Sequence, residues 1–291
     1  MDALNGIFTA IFDILCAPRA WAGDGLVLLL ISGVFGVLAL LAFKHVSFQK
    51  RIARTKNLIK AHLIEIRIYQ DNLRIVSLAI VKVLGRNLHY LLLNFLPFLP
   101  LSIPFAFVLA QLVTRFAYGP IPVEEPAAMR LAGHGVVVEV QLADETRYEA
   151  VRDLRIEYPV GIKPVSPLVR VPFEGRAYQE VAVLSPGRHA IEVSLGAESQ
   201  TKQLDSMPGS GMRQASREQG LFHALLWPAE AVLPSDSAFE RIALRSLRHS
   251  EGYPPADLGW MPAGAGGIVL IFLVASMLFG ALAIKPLKVQ I

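Results

Sequence analysis

Cysteine is nearly missing: Cys16 stands alone in 291 residues, so no internal disulfide can stabilise any part of this chain. Catalytic signatures are missing too. There is no His-Glu-x-x-His pair, no Walker-type loop and no Gly-x-Ser-x-Gly elbow. His62 and Glu65 lie one helical turn apart but lack a third ligand, and His134, His189, His223 and His249 are scattered without metal-ligand spacing. Charge is absent from three long runs, 25–43, 87–114 and 258–284, which hold no Asp, Glu, Lys or Arg. An intramembrane protease that works through acids in its spans is thereby excluded. The chain reads as a non-enzyme with no cofactor and no metal.

What is present follows from those runs. Each is long enough to cross a hydrocarbon core about 30 Å thick at ~1.5 Å per residue. Hydrophobic residues make up 53% of the chain and mean hydropathy is +0.46, as expected for a chain with three spans. Net charge is only +4, so no overall field for DNA exists. The runs are split two and one by a polar segment, so the sequence predicts an α-helical membrane protein with three transmembrane helices and an inserted β domain.

Residues 1–18 repeat apolar side chains at three- and four-residue steps (Leu4, Ile7, Phe8, Ile11, Phe12, Leu15), which predicts an amphipathic interfacial helix ended by Pro18. A cleaved signal peptide or a lipoprotein site at Cys16 is not expected, because the start is acidic and no small-x-small site follows. Residues 44–86 carry ten Lys/Arg against Glu65 and Asp71. By the positive-inside rule this short segment is cytoplasmic. The first span (24–44) then runs inward, the second (87–115) outward, and the third (258–284) inward, where Lys285 and Lys288 agree. Residues 118–256 and the N-terminus are extracytoplasmic on this reading, and the membrane is a bacterial inner (plasma) membrane.

Between 46 and 84 there is no Gly or Pro, and Ile52, Ile59, Ile66, Leu73 and Ile80 recur every seven residues. That predicts a basic helical segment (45–86) with coiled-coil patterning. Either it folds as a hairpin turning at Asp71-Asn72, or it lies along the surface as one helix. Its cations suit anionic lipid, or more weakly a ribosome. The second span contains Pro97, Pro100 and Pro104, each of which deletes a backbone donor, and it starts with polar groups at Arg86, Asn87, His89, Tyr90 and Asn94. Carbonyls freed in this way are tolerated in a membrane where protein or water covers them.

The polar segment predicts an Ig-like β-sandwich in architecture only. Its strands are expected over 136–142, 154–158, 168–173, 177–184, 189–195 and 200–204, with a hairpin turn at Ser185–Arg188. Residues 206–220 read as a loop and 235–248 as a short helix. Trp260 is placed as an interfacial anchor, and the small residues of the third span (Gly264, Gly266, Gly267, Ala275, Ser276, Gly280) as a close helix contact.

The order of span, basic helical segment and proline-broken span resembles the YidC/Oxa/Alb insertase superfamily. It is most similar to the minimal archaeal YidC-like proteins and the third subunit of the endoplasmic-reticulum membrane complex. The resembling stretches are Ser47-Phe48-Gln49-Lys50, Ala61–Arg67 and Asn94–Pro100. The resemblance implies a hydrophilic groove open to the cytoplasm that shelters the polar part of a client helix without covalent chemistry. Its residues would be Arg86, Asn87, His89, Tyr90 and Asn94, with Lys44 at the rim. The chain departs from the family plan in lacking an arginine within 25–43 and in carrying the β domain. The expected function is a membrane-protein insertase or assembly chaperone acting on client membrane proteins. The alternative is a non-enzymatic accessory subunit of a larger membrane complex, bound to its partner through the β domain.

Overall fold

The computed structural model describes residues 2–47, 49–128, 135–209, 211–246 and 252–287. Phe48, His134, His249 and Lys288 lie outside the described residues. The chain forms two compact units, Met1–Leu28 with Ala106–Ile271, and Leu29–Phe105 with Phe272–Ile291.

Three helical stretches are long and apolar enough to cross a membrane: Asp24–Val46, Leu73–Phe116 and Gly264–Leu287. A separate region of antiparallel sheet lies between the second and third. This fits a membrane protein with an inserted β domain. The helices in chain order are α1 (Asp2–Cys16), α2 (Arg19–Ala22), α3 (Asp24–Val46), α4 (Gln49–Ile68), α5 (Leu73–Phe95), α6 (Phe98–Phe116), α7 (Leu221–Leu226) and α8 (Gly264–Leu287).

In the second unit, α4 and α5 pack as an antiparallel hairpin. The chain turns over Tyr69–Asn72, and Asn72 caps α5 by accepting a hydrogen bond from the Ile75 amide at 3.3 Å. The seven-residue repeat does not run through the turn. Ile52 is buried and Ile59 and Ile66 are half-buried, but Leu73 and Ile80 are exposed, and α5 instead buries Ala79 and Leu93. Reversing the chain changes which residues face the seam, so a heptad phase carried across a turn has no structural meaning. Helix α5 continues to Phe95 without interruption at residue 87, and the break falls at Leu96–Pro97.

Helices α3 and α8 meet in the same unit through small residues. A Cβ on Gly36 would sit 2.2 Å from the Ser276 carbonyl oxygen, and one on Gly33 would sit 2.8 Å from the Phe279 ring. Only glycine allows the backbones this close. Gly36→Val is expected to cost about 1–3 kcal/mol or more by overpacking, read as a lower thermal midpoint of the full chain in detergent. Phe35, Phe105 and Phe272 form an aromatic cluster with centroid separations of 5.0–5.9 Å.

In the first unit the strands are β1 (Val136–Leu142), β2 (Arg155–Glu157), β3 (Ile162–Pro164), β4 (Val169–Val171), β5 (Arg176–Val183), β6 (Arg188–Leu195), β7 (Glu198–Asp205), β8 (Ser216–Glu218) and β9 (Phe239–Ser246). They form one sheet ordered β3-β5-β1-β9-β8, with β4 also on β5, and a second ordered β2-β6-β7. Three sequence expectations are corrected. The described residues of the 235–248 segment form no helix: Phe239–Ser246 is a strand between β1 and β8, and Ile242, Ala243 and Leu244 are buried consecutively because both its faces are covered. That run, with Phe239 three residues earlier, mimics a helical stripe. The Ser185–Arg188 turn is not a hairpin, since β5 and β6 belong to different sheets. The hairpin is β6–β7, closed by Gly196-Ala197 with Gly196 at φ 60°. Residues 206–220 are not a free loop; they contain β8 and the buried Arg213 and Gln214.

Candidate functional site

The second long apolar stretch, α5 followed by α6, carries nearly all the polar groups that the sequence singled out, and its two ends have opposite surroundings. Within the first unit, every residue of α6 from Phe107 to Phe116 except Leu109 is buried. Burying Gln111, Thr114 and Arg115 requires partners, and α1 supplies them. Arg115 donates from Nε to Gln111 Oε1 at 3.1 Å and from Nη2 to the Thr9 carbonyl at 3.2 Å, and its Nη1 lies 2.7 Å from Asp13 Oδ1. Gln111 Nε2 donates to Thr9 Oγ1 at 3.0 Å. Phe8 stacks on Phe107 with centroids 4.9 Å apart. Helix α1 therefore covers the polar face of α6, and leaves Ile7, Ile11 and Ile14 exposed on its other side.

The C-terminal carbonyls of α6 would be orphaned by helix geometry. Here two of them, and the two carbonyls that follow the helix, find donors from elsewhere in the unit. Arg213 N–H reaches the Thr114 carbonyl at 2.8 Å, Arg19 Nη2 the Arg115 carbonyl at 3.1 Å, Ala256 N–H the Ala117 carbonyl at 2.9 Å, and Arg213 Nη1 the Tyr118 carbonyl at 3.0 Å. Two guanidiniums at the negative end of a helix are electrostatically favourable. Arg19 is itself held by a bidentate pair to Asp24 (2.8 and 2.9 Å) and lies 4.3 Å over the Phe116 ring. The β domain is thus fastened to α6 by hydrogen bonds, which residue spacing could not reveal because the donors come from segments far apart in sequence.

Beside this junction is a cleft of about 1080 Å³, lined among others by Asp13, Arg19, Arg115, Asp205, Arg213 and Tyr253. Its cations face carboxylates: Arg213 Nε lies 3.5 Å and the exposed Arg188 Nε 4.0 Å from Asp205 Oδ2, an oxygen that is buried without a hydrogen bond. Behind it the fully buried Lys202 donates all three ammonium protons, to the carbonyls of Gln203 and Gln214 and to Glu230. Burial pushes the Lys202 ammonium below its usual range, and Glu230 opposes that shift. The buried Cys16 thiol is pushed up by burial, against Arg115 and Arg19, and so stays protonated.

His223 gives this unit a pH dependence. Burial lowers its pKa, with Glu218 pulling the other way, and Gln214 and the Ser216 carbonyl lie at its Nε2. As pH falls below 6.5 the unfolded chain takes up a proton before the folded one does, so stability present above that pH declines on acidification. The thermal midpoint is expected to fall between pH 7.5 and pH 5, with a shallower slope in His223→Asn.

The second unit holds the N-terminal end of the stretch. Lys44 Nζ donates to the Leu287 carbonyl at 2.7 Å and caps the end of α8. Arg86 and His89 line a crevice of about 510 Å³ with His62, Lys82 and Gly85. Asn87 is exposed and lies off that crevice. Tyr90 and Asn94 are half-buried, and Asn94 Nδ2 donates to the Tyr90 carbonyl at 2.8 Å. Asn94 Oδ1 is buried and has no hydrogen-bond partner. Exchanging the amide atoms would leave the buried nitrogen orphaned instead and set oxygen against oxygen at Tyr90.

Pro97 is buried at the break, whereas Pro100 and Pro104 are exposed. Pro100 falls in the first turn of α6, where its missing donor costs no helical bond, but Pro104 interrupts the helix and frees the Pro100 carbonyl. Ser102 Oγ turns back to the Leu99 carbonyl at 2.7 Å. Asn94 and Pro97 thus lie at the break with Pro100 and Pro104 following in α6, whereas Arg86 and His89 line the separate crevice. His62 Nδ1 accepts or donates at 3.0 Å to Glu65, a contact that lowers the Glu65 pKa. Among the described residues no three His, Cys, Asp or Glu side chains could hold a metal.

Compared with known proteins, this chain matches no family model, no curated protein and no solved structure.

Proposed function

We propose that the protein is an insertion or assembly factor for membrane proteins, and that the α5–α6 break receives the polar part of a client helix. One observation carries the reading: Asn94 holds a buried, unpaired amide oxygen beside a helix break, and Pro104 within α6 frees the Pro100 carbonyl. Such groups are costly against acyl chains and useful to a polar guest that needs hydrogen-bond partners. The helical hairpin of α4 and α5, which follows the first apolar stretch, supports the likeness to the insertase superfamily. From Leu73 to Phe116 the stretch has 44 residues, about 66 Å at ~1.5 Å per residue, or twice a hydrocarbon core, so much of α5 stands at or beyond the basic side of the bilayer. In this reading that side is the cytoplasm, the membrane is a bacterial inner membrane, and α1 seals the opposite end.

Photo-crosslinking tests it. A photoreactive side chain at position 94 or 103 is expected to capture a nascent membrane protein during synthesis into vesicles, and one at position 110, which is buried, is not. Equal capture at all three positions, or at none, contradicts the reading. The second reading, an accessory subunit, has its own observation: Val160 and Phe173 are 100% and 92% exposed on the β domain, as expected of a surface covered by a partner. Mild-detergent purification that returns a stoichiometric partner favours it.

A further inference from the structure

The crevice on the α4–α5 hairpin has chemistry that client handling does not use. Lys82, Gly85, Arg86 and His89 follow one another at helical steps on α5, and His62 reaches in from α4. Four of the five lining residues are cationic or can become so. The nearest carboxylate, Glu65, is engaged by His62 at 3.0 Å and lies 3.9 Å from Lys82. Among the described residues neither Arg86 nor His89 has a hydrogen-bond or ion-pair partner. No atom lies within 4 Å of where a Gly85 side chain would begin, so the floor of the crevice is open backbone. An anion with several acceptor oxygens fits such a set, because a guanidinium and an ammonium together neutralise and orient it.

A second feature of the same helix says which anion. An apolar row borders the crevice along α5: Val81, Leu88 and Leu92 are 69%, 60% and 61% exposed. Val81 and Leu88 lie four residues before and three after Gly85, and Leu92 three after His89, so the three form one strip along an edge of the crevice. A free phosphate or an RNA backbone would use the cations and leave the strip bare. A phospholipid uses both, with its phosphate among Lys82, Arg86, His89 and His62 and an acyl chain along the strip. We propose that this hairpin carries a binding site for an anionic phospholipid, held by the headgroup phosphate over Gly85. The site anchors the hairpin to the basic-side leaflet and fixes its tilt, and it is independent of the insertion reading.

Native mass spectrometry of the full chain in detergent tests this, with phosphatidylglycerol, phosphatidylcholine, glycerol 1-phosphate and oligouridylate as probes. Phosphatidylglycerol is expected to bind about tenfold or more tighter than phosphatidylcholine, and Lys82→Gln with Arg86→Gln is expected to abolish that preference. Leu88→Ser with Leu92→Ser is expected to weaken both lipids. Arg54→Gln with Lys60→Gln removes the same charge from exposed positions outside the crevice and is expected to leave the preference intact. An unchanged preference in the Lys82/Arg86 variant overturns the site. Loss of preference in both charge variants reduces it to general attraction. Glycerol 1-phosphate or oligouridylate binding as tightly as phosphatidylglycerol overturns the lipid assignment.

Discussion

Arg213→Ala is expected to lower the unfolding free energy of the full chain by about 3–5 kcal/mol, the usual cost of leaving one partner of a buried ion pair alone. Arg213 is 3% exposed, and its removal strands Asp205, whose Oδ2 already has no hydrogen bond. It also strips donors from the carbonyls of Tyr118, Met207 and Gly209. Burial pulls the Arg213 pKa down while Asp205 raises it, so the guanidinium depends on that carboxylate for its charge to be tolerated. Thermal unfolding followed by near-ultraviolet dichroism reads the change, because Tyr118 lies 6.4 Å from Trp227 and 6.2 Å from Tyr253. Arg213→Met combined with Asp205→Asn is expected to recover part of the loss, since neither charge then remains buried. A loss below about 1 kcal/mol, typical of an exposed pair, would mean that the junction between α6 and the β domain is not held by this residue.

Asn94→Leu is expected to separate function from stability. Insertion of a client with a polar residue in its transmembrane segment should fall by about tenfold, equivalent to one hydrogen bond of about 1.4 kcal/mol missing from the transition state. The folded protein should be unharmed or slightly more stable, because an orphaned buried amide oxygen is removed. Wholly apolar clients should insert as before. Lower stability without lost insertion would assign Asn94 a structural role and remove the observation on which the insertion reading rests.

Much of the fold was legible where local physics decides it. Uncharged runs gave the three long apolar helices, and Asp71-Asn72 marked the hairpin turn because no other turn-forming pair lies between 46 and 84. Strand β1 was legible at its observed bounds from its β-branched residues, Val136, Val137, Val138 and Val140. Strand β9 was not, because a strand covered on both faces has no alternation to read, and Phe239 with Ile242 and Ala243 sits at helical spacing. The heptad failed at Leu73 for a related reason: periodicity knows nothing of chain reversal. At the candidate site, the prolines and Asn94 were visible as polar interruptions of an apolar run. The roles of Lys44, Arg19 and Arg213 were not, since what they cap lies 243, 96 and 95 residues away in the chain.

The central claim is that water, not lipid, meets the α5–α6 break. Single cysteines at positions 87, 90 and 94, in a Cys16→Ala background, can be challenged with a membrane-impermeant maleimide added to the basic side of sealed vesicles. All three are expected to react, and a cysteine at position 109 to stay unlabelled. Protection at 90 and 94, together with quenching of probes there by brominated acyl chains, would contradict the account.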